Sequence, residues 1–214
     1  MHRLMAALFL TIAALFLAIT ARAEVLCALS PDAASYKASG DERPSGDVMQ
    51  LARRVNTALQ PACTPRCPEI GIFRNATAPN IALIVAEDQA KIVYAPQFFS
   101  TIYDKYGDGA IIAVIAHEYG HALAETTPAA WMKSSWKIEL RADAWAGCAL
   151  AKNNLAAKAL KEAVDALAEH PPSSRAEPHP DWNQRWAALK TGYTHCGGNQ
   201  PPLADAAPAP PARK

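Results

Sequence analysis

Residues 110–125 read AIIAVIAHEYGHALAE, a stretch apolar on nearly every side of a helix. A helix so patterned belongs in an interior, yet this one carries His117, Glu118 and His121. Buried polar groups without partners cost about 2–7 kcal/mol each, so the fold must bring them partners or a cation. Residues i and i+4 share a helix face, with Cβ atoms about 5–6 Å apart. Two imidazoles at that spacing can each place a nitrogen about 2.0–2.1 Å from one zinc ion. Glu118, about 100° further round the helix, lies beside such an ion, where it can take a proton from zinc-bound water and pass it to a leaving group.

Two histidines leave zinc short of a third protein ligand and an open position. The histidine-ended extension of H-E-x-x-H needs glycine at position 124 and histidine at 127, and the chain has Ala124 and Thr127. A carboxylate from a later helix is the other solution. The run ELRAD, residues 139–143, sets Glu139 and Asp143 on one face of a segment otherwise rich in Ala, Trp, Leu and Cys. Glu139 is assigned to the metal, and Asp143 to the second N–H of a zinc-bound imidazole, fixing its tautomer. The spacing also permits the reverse.

The rest of the chain frames this pair of helices. Ser45 or Asp47 caps a helix to about Leu59, with Val48, Leu51, Val55 and Leu59 at helical spacing. Residues 81–85 form a continuous apolar strand buried on both faces. Residues 91–94 follow a polar turn and read as a hairpin arm or a sheet edge. Asp108 is read as the cap of the apolar helix. Further helices are expected over about 138–151, 154–169 and 181–193. Trp131, Trp136, Trp182 and Trp186 read as core or cleft-wall packing. The expected class is α+β, a single domain with a small sheet, the H-E-x-x-H helix and a second metal-ligand helix.

The ends are of a different kind. Residues 1–23 have a charged start, a short apolar run and an A-x-A exit, so they are read as a signal peptide cleaved after Ala23. Residues 197–214 are dominated by Pro, Ala and Gly and are read as a disordered tail. That leaves residues 24–196 as the domain. All five cysteines fall beyond the cleavage point, and export makes disulfides their default role. Cys148 with Cys196 is one plausible bridge, and Cys63 and Cys67 are read as structural rather than metal-binding. Without the signal, 21 basic residues become 19 against 20 acidic. A near-neutral chain with no basic run offers nothing to nucleic acid, and no segment is suited to stable membrane insertion once the signal is removed. The sequence Asn75-Ala-Thr77 matches a glycosylation sequon.

With these residues in hand, the chain resembles the gluzincin metallopeptidases. The run HEYGH at 117–121 followed by ELRADAWAG at 139–147 is similar to their H-E-x-x-H … E-x-x-A-D signature, nearest to the small neutral zinc metallopeptidases and the M48-like group. The likeness spans about residues 47–193 and includes HPDWNQR at 179–185, similar to a late H-P…R segment. It implies a zincin-like fold, one zinc ion on His117, His121 and Glu139, Glu118 as catalytic base, and Asp143 behind the ligands. It also implies a sheet edge, at about residues 91–96, that aligns an extended peptide or protein substrate. Hydrolysis further needs a donor to the developing oxyanion. His179 is the candidate catalytic residue, with Arg185 and Tyr193 as lesser ones, while Tyr119 faces away. An exported amide hydrolase acting on cell-wall peptides, and a catalytically silent zinc-stabilised interaction module, are the rival readings.

Overall fold

The computed structural model describes residues 24–28, 36–62, 70–78, 80–86, 89–124, 129–169 and 180–199. Expectations for the signal segment, for Cys63 and Cys67, for His179 and for nearly all of the tail lie outside these residues. The described residues form an α+β arrangement of four strands and six α-helices: β1 (Glu24–Ala28), α1 (Gly46–Leu59), β2 (Gly71–Arg74), β3 (Ile81–Ala86), β4 (Gln89–Tyr94), α2 (Pro96–Tyr106), α3 (Asp108–Ala124), α4 (Ile138–Lys152), α5 (Lys158–Glu169) and α6 (Trp182–His195).

The sheet order is β1-β3-β4-β2. β3 and β4 form the hairpin, Leu83 facing Ile92, and β2 runs parallel to β4. The expectation that residues 91–96 line a sheet edge is therefore corrected, because β4 is an inner strand flanked by β3 and β2. Its Ile92, Val93 and Tyr94 are buried accordingly. Ile81 to Ile84 of β3 are fully buried, as a continuous apolar run demands.

Helix α1 starts where the sequence places it, with Ser45 as N-cap accepting from the Val48 N–H. α3 opens on Asp108 itself, after Gly107 at φ 76°, so Asp108 is the first helical residue rather than the cap. α5 begins at Lys158 rather than near 154, because Asn154 adopts φ 55° just past the end of α4, and the Leu155 N–H bonds back to Leu150 O. Leu160, Ala163, Val164 and Leu167 then face inward as expected.

Three helices fix the site. α3 packs on α4, and α4 on α6, at separations that only glycine allows. A Cβ on Gly120 of α3 would stand 2.8 Å from Ala142 Cα of α4, one on Gly147 1.9 Å from Leu189 O, and one on Gly192 1.8 Å from Ala144 O. The Cys148–Cys196 disulfide, expected from the sequence, ties the same helix pair. It closes a loop of 48 residues, which in the chain-entropy account stabilises the fold by about 4 kcal/mol. No helix among the described residues is long and apolar enough to cross a membrane.

Candidate metal centre

The α3 side chains from Ala110 to Ala116 are apolar and buried, and the helix then turns His117, Glu118 and His121 into the same interior. The last turns of α3 lie against α4, which carries Glu139 in its first turn. One helical turn after Glu139 comes Asp143, and from α6 Arg185 reaches the same spot. All six side chains are buried, Glu139 the least so at 7% exposure. The acidic pair on α4 is thus an interior feature, as its apolar neighbours imply.

His117 Nε2 and His121 Nε2 face each other at 3.0 Å. Glu139 straddles them, one carboxylate oxygen 3.6 Å from His117 Nε2 and the other 3.6 Å from His121 Nε2. Two ligand atoms each about 2.0–2.1 Å from one tetrahedral zinc ion stand about 3.3 Å apart. The three observed separations bracket that edge length. Behind His117, Nδ1 meets Asp143 Oδ1 at 2.8 Å. With the Nδ1–H donating to Asp143, the Nε2 lone pair is directed toward His121 and Glu139, as a metal ligand requires.

Asp143 is itself held. Arg185 donates through Nη1 to both of its oxygens, at 2.8 and 3.1 Å, and Nη2 lies 3.5 Å from Glu139. Arg185 is 1% exposed. It was read from the sequence only as a lesser oxyanion candidate, and the structure makes it the brace of both acids on α4. The H-P…R likeness was the signal available for it, but no sequence spacing links residue 185 to residue 143. Tyr193 is removed from the site: its hydroxyl donates to Leu155 O at 2.7 Å. Tyr119 turns toward Asn56, away from the histidines.

Glu118 is clamped from the sheet. The Leu83 N–H of β3 donates to Glu118 Oε2 at 2.8 Å, while Glu118 Oε1 is buried without a hydrogen-bond partner. Sequence reasoning missed this clamp, because it joins residues 35 apart through the backbone. Burial, with the Glu139 charge nearby, pushes the Glu118 carboxyl up to about 8 against the opposing pull of His117. Burial opposes charge on His117, but the hydrogen bonds to Asp143 and Glu139 win and raise its imidazole to about 10. Burial and the neighbouring His117 hold His121 down at about 3. Burial works against ionisation of Glu139, yet His117, His121 and Arg185 bring it to about 2.

These directions describe one charge balance. Three carboxylates and one guanidinium leave two negative charges uncompensated in an apolar interior. Without a cation, protons on His117 and Glu118 make up the difference. A divalent cation between His117, His121 and Glu139 does so instead. The residues therefore fit a zinc ion in spacing, donor chemistry and charge, and they are the group among the described residues suited to hold one.

Comparison of the chain with protein-family models, with curated proteins and with solved structures found no match.

Proposed function

We propose that this chain is an exported zinc-dependent metallopeptidase, zincin-like in the way a small sheet lies over the H-E-x-x-H helix, and related in chemistry to the gluzincins it resembles. The observation that carries the reading is the buried, unpartnered Oε1 of Glu118 beside two facing imidazole nitrogens and a straddling carboxylate. Those three side chains would hold zinc through His117 Nε2, His121 Nε2 and a Glu139 oxygen. Bound there, zinc supplies a Lewis acid for a peptide carbonyl and brings the pKa of water near 7.

The chain's own residues account for the proton and the positioning. The Leu83 N–H fixes one oxygen of Glu118, so the other is aimed and free to accept a proton from the attacking water. Glu118 then gives that proton to the leaving amine, as a general acid and base must. Asp143 keeps the His117 proton on Nδ1, and Arg185 keeps Asp143 in place. His179 is retained as the candidate donor to the oxyanion. Export accords with the Cys148–Cys196 disulfide, which an oxidising compartment favours. The substrate class is peptide or protein.

The test is Glu118→Gln beside His117→Ala and Glu139→Ala, assayed on unfolded casein with zinc content measured in parallel. Glu118→Gln is expected to retain its zinc and lose about 10²–10⁴ in turnover, the worth of a positioned general base. His117→Ala and Glu139→Ala are expected to lose the zinc. Equal zinc in all the chains, or full turnover by Glu118→Gln, overturns the reading.

A further inference from the structure

An extended peptide that reaches Glu118 needs a row of backbone partners, which a sheet edge provides. The strand that touches Glu118 is β3, through Leu83. One side of β3 is taken by β4, so its other side is the lane that runs past the candidate base. The opposite edge of the sheet, β2, is partly covered by the Glu42–Arg74 bridge and is separated from β3 by β4.

That lane already has an occupant from the chain itself. β1 (Glu24–Ala28) pairs antiparallel with β3, Val25 opposite Ile84 and Cys27 opposite Leu83. The register shifts between Val25 and Cys27, next to the residue whose N–H serves Glu118. A shift of this kind interrupts the ladder locally, and that is what an N–H engaged by Glu118 requires of the strand beside it. β1 also approaches α3, the helix bearing the histidines. It starts at Glu24, the residue expected to follow the signal cleavage. With five residues and one irregularity, it is anchored by few ladder bonds.

We propose that β1 is a resident strand in the peptide lane beside β3 and Glu118, so that a substrate peptide binds by displacing the chain's own residues 24–28. The proposal rests on the metallopeptidase reading and adds to it an intramolecular competitor. A lane open only a fraction of the time weakens apparent substrate affinity by that fraction. The cost falls on KM and leaves kcat untouched.

The experiment uses the full mature chain from Glu24 and its Val25→Pro/Cys27→Pro variant, since proline strips N–H groups from a ladder. Both are assayed on a quenched fluorescent peptide and on unfolded casein, with zinc content and thermal melting recorded. Opening a lane that is free about a tenth of the time is expected to raise kcat/KM about tenfold through KM. A capped EVLCA peptide is expected to inhibit the proline variant competitively, and the unmodified chain about tenfold more weakly. Should the proline chain fail to melt cooperatively, Val25→Gly/Cys27→Ser takes its place, and peptide inhibition of the unmodified chain stands without any substitution. Glu118-dependent hydrolysis that a folded, zinc-loaded variant does not exceed overturns the proposal alone. So does an EVLCA peptide that inhibits neither chain. Absence of Glu118-dependent hydrolysis in every chain removes the metallopeptidase reading, and this proposal with it.

Discussion

Two polar clusters among the described residues, one part-buried around Asp41 and one buried around His117, differ in how their hydrogen bonds close. Around Asp41, on the sheet side, every strong group finds protein. Its carboxylate accepts from Tyr36 at 2.9 Å, from Asn75 at 2.7 Å and from Lys91 at 2.6 Å. Asn75 spends the rest of its amide on Lys37 O and on Thr77. Such a cluster pins residues 36–42 to the sheet and has nothing left to offer. It also disposes of the glycosylation sequon, since the Asn75 amide is 1% exposed and committed. Around His117 the bonds do not close: two imidazole nitrogens face each other, and a carboxylate oxygen of Glu118 meets no partner. A satisfied network holds structure together, whereas a buried polar atom without a partner calls for an explanation of its own.

The pH dependence of zinc binding separates the two clusters most sharply. In the metal-free protein His117 is raised to about 10 and Glu118 to about 8, while His121 at about 3 and Glu139 at about 2 have already lost their protons near neutrality. Of the three ligand side chains, only His117 still holds a proton that a metal has to displace. Affinity is therefore expected to rise with pH, about tenfold per unit up to about pH 10. Chelator competition at several pH values measures the slope. A flat response would mean that the open cluster does not trade protons for metal. Lys91→Met, in the closed cluster, is expected to leave the slope unchanged.

Next in size is the brace. Arg185→Met leaves Asp143 charged in an apolar interior and is expected to destabilise the fold by about 3–5 kcal/mol. It should also weaken zinc binding about 10–100-fold through the loosened His117. Arg185→Lys is expected to restore little of either, because one ammonium cannot serve Asp143 and Glu139 at once as the two guanidinium nitrogens do. Denaturant melting and zinc titration on the same preparations read both effects. The smallest effect belongs to the closed cluster. Asp41→Ala is expected to cost about 1–3 kcal/mol, the desolvation penalty of the donors it abandons, with zinc affinity unmoved. A fall in zinc affinity there would erase the distinction between the two clusters.

Much of the fold and of the candidate site was legible because it rests on local periodicity. The i, i+4 spacing places His117 and His121 together on any helix, and the same spacing places Glu139 with Asp143. Burial of α3, the Ser45 cap and the inward face of α5 follow from patterns of a few residues each. What escaped is what crosses the chain. β4 gave no sign of being an inner strand, since one buried strand looks much like another until its neighbours are known. The pairing of β1, the Leu83 clamp on Glu118 and the Arg185–Asp143 ion pair join residues 35 or more positions apart. No period encodes them.

The sequence by itself determined that a helix too oily to be wet carries two histidines and a glutamate, and that a second buried acidic pair follows. Bringing the two helices together was a tertiary decision. It rests on three-dimensional packing, through Gly120 letting α3 close on the α4 backbone at Ala142, through Gly147 and Gly192 letting α4 and α6 do the same, and through Arg185 arriving to neutralise what α4 buries. Spacing along a helix is set by the geometry of one backbone. The meeting of distant segments depends on shape and charge fitting across an interface, and that is written only in the folded whole.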